Sequence, residues 1–301
     1  MRVTFEPTAF ENSFGPYQAV LSLNSGDTLC TTTLDSRGRD GDMVVRGRAP
    51  NPLTGPFYVE GAEPGDALAV DLLSIRPNRA YGYSSDAVAA HVVDATAVTD
   101  LPERGLAEWA IDQAANTARL SSPIPALAAL ELPLSPMLGC IGVAPPGGQT
   151  ISSATSGSYG GNMDYRGIVA GTTLMLPVSE PGTLLFVGDG HAVQGDGEIV
   201  GMGIEISMEV SLRVRVLKRL DIRCPRGISA TSLFTLGNAR PMEQALQHAT
   251  TELLRWLAND YGLDARAAST LLGQCIAYDV GNVFDPAYTV AARIDRALLS
   301  R

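Results

Sequence analysis

Lysine is almost missing from this chain. Of its 301 residues only Lys218 is a lysine, although arginine is plentiful, so any mechanism built on a lysine base or nucleophile has one residue to use. It closes the run 212–218, whose alternation reads as the solvent-facing edge of a strand. Cysteine is nearly as sparse. Cys30, Cys140, Cys224 and Cys275 lie far apart with no CxxC pair, which suits neither a zinc ribbon nor a disulfide framework and leaves reduced thiols. No apolar run approaches the roughly 20 residues that span a bilayer, and the first residues lack the apolar stretch of a signal peptide. A soluble, cytoplasmic protein without a membrane partner is the expectation. Positive charge is short as well: a net charge of −10 argues against nucleic acid, because phosphate binding needs a basic footprint.

Familiar catalytic signatures are missing too. There is no HExxH and no GxSxG elbow. The serine-rich run 152–158 has no lysine upstream to activate a serine, and a Cys-Glu-Lys set would have to draw Lys218 out of its strand. Cys140, between Gly139 and Ile141, reads as a packed small hydrophobe. Both covalent schemes are rejected.

What the chain does have is concentrated in Gly188-Asp189-Gly190-His191-Ala192-Val193-Gln194-Gly195-Asp196-Gly197-Glu198. Three carboxylates and one of only three histidines sit among four glycines. Histidine and carboxylate are the ligands of divalent metals, and glycine lets one loop turn its side chains to one point. If 185–193 is extended, Asp189 and His191 face the same side, since side chains alternate with period two. Glu198 could return to that pocket after the turn at 194–197 and carry a proton. The spacing is not that of an EF-hand: counted from Asp189, the fifth residue is Val193 and the twelfth Val200. The same residues would also make an ordinary polar turn between two strands. Of the other histidines, His248 falls off the apolar face of its helix and reads as solvated, while His91, flanked by apolar residues, reads as a hydrogen-bonded core histidine or a site residue. Asp35 ends a threonine-rich strand and is either a turn former or a ligand. Asn162 and Asp164 follow two glycines and either form local turns or orient a substrate amide.

Turns built on Gly recur before the runs that start at Thr28, Ala67 and Thr183. Strands are expected over 28–34, 57–59, 67–75, 172–177, 183–187, 204–210 and 212–217. Many short strands with Pro and Gly punctuation indicate a mainly β fold, a sandwich or jelly-roll-like core. Helical period enters late. After Pro241, Ala245, Leu246, Ala249, Leu253, Trp256 and Leu257 share one face, Gly262 stops that helix, and Asp264 caps another. A third helix is expected within 286–299. The Pro-, Gly- and Ser-rich stretch 121–155 is expected at the surface or along a site. The expected division is 1–225, a β-rich catalytic domain, and 226–301, an α+β portion packed on it.

In sequence order, Asn51-Pro52-Leu53-Thr54-Gly55-Pro56-Phe57-Tyr58-Val59-Glu60-Gly61-Ala62-Glu63-Pro64-Gly65-Asp66, then Gly160-Gly161-Asn162-Met163-Asp164, then the glycine and acid loop, then Ile204-Glu205, closely resemble the acetamidase/formamidase family. The likeness runs from about residue 20 to about residue 220. It implies hydrolysis of a small aliphatic amide such as formamide or acetamide, releasing ammonia and a carboxylate, and it implies self-association into a homo-oligomer. It draws Asp35, Asn162 and Asp164 towards the site. On that basis a divalent metal, zinc ahead of calcium, is expected on Asp35, Asp189 and His191. Glu198, with Asp164, is expected to do acid–base work, and Asn162 to bind the substrate. Asn51 stands where many members carry histidine, which leaves a contact there open. A lactamase of small cyclic amides, or a metal-binding β-sandwich without turnover, would use the same residues.

Overall fold

The computed structural model, which describes residues 1–299, is a mainly β fold with a sandwich core and helices near the carboxyl end. A nine-stranded sheet runs in the order Arg2–Thr4, Thr28–Thr33, Met208–Leu217, Ala67–Pro77, Thr173–Pro177, Arg226–Ile228, Ser232–Ala239, Tyr288–Asp295 and Ala277–Asn282. A six-stranded sheet, Ser156–Gly157, Gly160–Asn162, Met137–Gly142, Leu185–His191, Leu53–Val59 and Leu21–Leu23, packs against it through a shared apolar cluster. The period-two rule is visible along Ala67–Pro77. Leu68, Val70 and Leu72 enter the interior of the sandwich, whereas Ala67 and Ala69 turn to the other face.

That other face is covered by α1 (Met242–Tyr261), which sets Ala249, Leu253, Trp256 and Leu257 against Ala69, Leu233 and Ala292. The small alanines of the sheet let the helix approach closely. Gly262, at φ 65°, ends α1 in the left-handed conformation that glycine takes without strain, and Asp264 caps α2 (Ala265–Cys275) by accepting from the Ala267 amide. Both ends follow the sequence reading.

Two expectations are corrected. The residues expected to form a third helix contain the strand Tyr288–Asp295, followed by one 3-10 turn at Arg296–Leu298. Its Ala291 faces the sandwich and Ala292 and Ile294 face the helices, so both faces are apolar and no period separates strand from helix. Within 121–155, the strand Met137–Gly142 is buried at every position and pairs with Leu185–His191. It is a central strand and not a surface run, whereas the other alternative, a stretch along a site, holds for Gly139 and Ala154. Strands from either side of residue 225 share the large sheet, since Arg226–Ile228 pairs with Thr173–Pro177.

A four-stranded sheet, Leu132–Pro133, Thr117–Leu120, Leu106–Asp112 and Tyr81–Ser85, lies beside the sandwich. Glu205 joins it to the six-stranded sheet, because its backbone bridges both Tyr83 and His191.

Candidate metal and active site

The strand Leu185–His191 delivers Asp189 and His191 to one buried place, as the alternation requires. Asp189 itself sits at φ 56°. Of nine non-glycine residues with positive φ among the described residues, four surround this place: Asn51, Asp164, Asp189 and Glu198. Such clustering of uncommon backbone conformations is a mark of functional sites.

His191 is the hub. Its Nε2 lies 3.0 Å from Glu205 Oε1 and 3.5 Å from Asp189 Oδ1, and its Nδ1 is 4.0 Å from Asp164 Oδ1. The donor sets Asp189–His191–Glu205 and Asp164–His191–Glu198 each bring their ligand atoms within 4.8 Å of one another. Gln194 orients the ring. Its Nε2 donates to the carbonyls of Asp164 at 2.5 Å and Gly281 at 3.3 Å, which turns its Oε1 to His191 Nδ1 at 2.8 Å. An amide oxygen only accepts, so Nδ1 carries the hydrogen and Nε2 is the nitrogen left for a ligand.

The residues fit a divalent cation. Asp164 Oδ1, Asp189 Oδ1, Glu205 Oε2 and His191 Nε2 are buried without a hydrogen-bond partner. Nε2 is close to Glu205 but out of line for a hydrogen bond, so proximity and lack of a partner coexist. Gly139, opposite them, has no room for a side chain: a Cβ there would stand 2.2 Å from Asp164 Oδ1 and 2.7 Å from Asp189 Oδ2. A cluster so acidic asks for positive charge. Burial, reinforced by Glu205, raises the Asp189 carboxyl to about 6, although His191 opposes the rise. Burial also raises Asp285 to about 6, against the Asn162 and Asn282 amides that lower it. Asp164 and Glu198 are pushed well above the carboxylate range, burial first in both. At His191, burial works against the charged ring but is outweighed by Glu205 and Asp189, so its pKa rises.

A cavity of about 300 Å³ opens onto this cluster, with Asp189, Glu198, Glu205, Asp285, Asn51 and Asn162 on its wall. Asn162 accepts from Cys140 Sγ at 2.7 Å, and its Nδ2 donates to Asp285 Oδ2 at 2.5 Å. Asn51 Nδ2 reaches Asp189 Oδ2 at 3.2 Å and Asn162 Oδ1 at 3.3 Å, so the position left open by the sequence does face the site. Asp164 is completely buried behind that wall, where Asn282 Nδ2 donates to its Oδ2 at 2.7 Å.

Asp35 does not join the donors. Its Oδ2 accepts from Arg79 Nη2 at 2.7 Å in a buried ion pair, and its Oδ1 accepts the Arg37 and Arg39 amides. The ligand role expected for it is corrected by that pairing, because a carboxylate with both oxygens engaged has little to offer a metal. His91 is not in the core: it is exposed, and its Nε2 meets the Val283 carbonyl at 2.8 Å. His248 is exposed. Cys140 touches the site through Asn162, yet burial and then Asp189, Asp164 and Asp285 raise its thiol pKa, so it is no thiolate nucleophile. Lys218 is held by Asp66 at 2.6 Å.

Sequence reasoning missed Glu205, Asn282 and Asp285. Glu205 lies between Ile204 and Ile206, and a charge between two β-branched apolar residues reads as the wet side of a strand. The signal available was that a lone acid here follows the glycine-rich loop directly. Asp285 and Asn282 come from the carboxyl-terminal strand and turn, and nothing local ties them to His191.

A β-sandwich whose buried acids converge on one imidazole is the class that fold and site define. The acetamidase/formamidase family model matches residues 42–147 and 143–244, and the chain belongs to that family. An acetamidase from Bacillus halodurans has the same fold, with a TM-score of 0.86 at 30% identity over 98% of both chains. An acetamidase of Mycolicibacterium smegmatis is 28% identical over 63% of this chain and 59% of its own length. A conjectured formamidase of Schizosaccharomyces pombe is 28% identical over 55% of this chain and 52% of its own. The chain thus spans little more than half the length of the curated relatives it matches. Among the described residues no helix is long and apolar enough to cross a membrane.

Proposed function

We propose that this protein is an amidohydrolase that cleaves the C–N bond of a small aliphatic amide, giving ammonia and a carboxylate, with a divalent metal, zinc ahead of calcium, at the His191 cluster. The observation that carries the reading is the unpartnered His191 Nε2 set against Asp189 and Glu205 on a small cavity. Family membership supplies the reaction class. Imidazole favours zinc, since calcium takes oxygen ligands. Asp189, His191 Nε2 and Glu205 would hold the ion, and Asp35 would not. When bound, such an ion supplies Lewis-acid polarisation of the amide oxygen and makes water acidic enough to ionise near neutral pH.

The remaining roles belong to the chain. Glu198, on the wall and with a raised pKa, takes a proton from the attacking water and returns it to the leaving nitrogen. Asp164 sits behind the wall, where burial and then the Glu198 charge push its carboxyl well above the usual carboxylate range, so that it can hold a proton beside the site. Asn162 has one N–H committed to Asp285 and a second with which to orient the substrate. The cavity is small enough to favour short amides.

Chelation should abolish ammonia release from acetamide, and one divalent ion should restore it. His191→Ala should lose bound metal and turnover together. Glu198→Gln should keep the metal while kcat falls roughly 10²–10⁴-fold, the usual worth of acid–base catalysis. Full activity in metal-free protein would refute the reading.

A further inference from the structure

Asp35 does not reach the donors, but the turn it holds does. By accepting the Arg37 and Arg39 amides at 3.0 and 2.9 Å while paired with Arg79, it fixes the segment that carries Ser36 and Arg37. The Asn51 amide donates to the Ser36 carbonyl at 3.0 Å, and Asn51 also contacts Asp189. Turn and metal cluster therefore share one frame.

Arg37 lines the same cavity and is the one cationic side chain on a wall that also carries Asp189, Glu198, Glu205 and Asp285. Its guanidinium lies 4.9 Å from the centroid of the Tyr83 ring. Among the described residues it meets no carboxylate within ion-pair distance, unlike Arg79, Arg46 or Arg166. Tyr83 is buried, and its backbone pairs with Glu205, so the ring under Arg37 is tied to a donor residue. A neutral amide needs no such cation. A planar guanidinium steadied on an aromatic face, with its fork unclaimed, matches a carboxylate. With the donor end given to the amide in the reading above, the Arg37 end is left for the carboxylate, and Glu198 and Asp285 on the wall disfavour an anion beside them.

We infer that Arg37 selects, among small aliphatic amides, those with a carboxylate at the far end, the monoamides of short dicarboxylic acids. The inference rests on the amide-hydrolase reading above. The reaction stays hydrolysis: −OOC–CH2–CONH2 and water give the dicarboxylate and ammonium, with the C–N bond broken and a C–O bond formed.

The test compares malonamate with butanamide, whose terminal methyl stands where a carboxylate oxygen of malonamate does and which carries no charge. In the metal-loaded wild type the malonamate-to-butanamide ratio of kcat/KM should exceed one. In Arg37→Met it should fall about tenfold, the worth of one half-exposed charged contact, with Arg37→Lys between them. Added salt should lower the wild-type ratio and leave that of Arg37→Met nearly constant. Calorimetric binding of malonamate separates this inference from the hydrolysis reading. If no ammonia appears but malonamate binds and Arg37→Met weakens it about tenfold, hydrolysis fails and the anion site stands. A ratio that Arg37→Met leaves unchanged, or malonamate binding indifferent to it, overturns the inference.

Discussion

Two of the groups of buried charge in this molecule are built on opposite terms. Behind the large sheet, Arg226 and Glu252 are each 1% exposed at the side chain and meet at 2.8 Å. The Arg223 amide also donates to Glu252, Arg255 stands 3.6 Å from it, and the Arg226 guanidinium lies over Trp256 at 5.1 Å. Opposite charges there neutralise one another. At the His191 cluster, Asp164, Asp189, Glu198, Glu205 and Asp285 surround a single imidazole, and four polar atoms stay unpartnered. In the first group the charges are paired within the protein, and one atom, Arg226 Nη1, is left without a hydrogen-bond partner. The second sets five carboxyl groups around one imidazole, and that excess of one sign separates a site from a scaffold.

The sharpest way to break this comparison is to make the scaffold pair incomplete. Glu252→Leu leaves Arg226 buried and alone, and should cost about 3–5 kcal/mol in urea unfolding. The double change Arg226→Met with Glu252→Leu should recover most of it. Bound metal per folded chain should stay level in both, and a loss of metal would show the two groups to be coupled.

The next effect is pH dependence, opposite in sense to that of an ordinary paired carboxylate. Burial pushes the Asp189 and Asp285 carboxyls up to about 6 in the fold, above the ordinary 3.8. Metal-free folded protein therefore holds protons that the unfolded chain releases across that interval, and stability falls as pH rises through it. His191, raised above its ordinary 6.5, adds stability below that value and loses it at higher pH, in the same sense. The Tm of the chelated protein should drop between about pH 4 and pH 8. With metal present the trend should flatten or reverse, because metal and protons compete for the same atoms. A chelated protein more stable at the higher pH would contradict the charge imbalance.

The smallest effects are expected at the residues that covalent schemes would need. Cys140→Ala removes a thiol donor from Asn162 and opens a small void, worth about 1 kcal/mol of stability, and most turnover should remain. Lys218→Arg keeps the ion pair with Asp66 and should shift stability by less than about 0.5 kcal/mol. An inactive but well-folded Cys140→Ala would restore the cysteine mechanism.

How far the sequence carried can be told from single residues. Gly262 and Asp264 marked the two helix boundaries because capping is local chemistry. Asp189 and His191 were legible as a pair because a strand fixes which residues share a side. Asp35 was read in the right neighbourhood with the wrong partner, since Arg79 reaches it from 44 residues away. Glu205 and Asp285 were harder to place for the same reason: Glu205 meets His191 through a backbone bridge across the fold, and Asp285 reaches the site through Asn162 and Asn282. Tyr288–Asp295 was misread because burial on both faces erases period.

Glu205 is held by two backbone bridges. Its carboxylate faces His191 only because its backbone pairs with His191 on one side and Tyr83 on the other. A slip of one residue in that pairing would send the side chain to the opposite face. The distance between donor and imidazole therefore cannot drift by small steps, as it could for residues on a loop. Insertions or deletions within 199–204 should behave like a switch, leaving either a whole site or none, while the sandwich beneath remains folded.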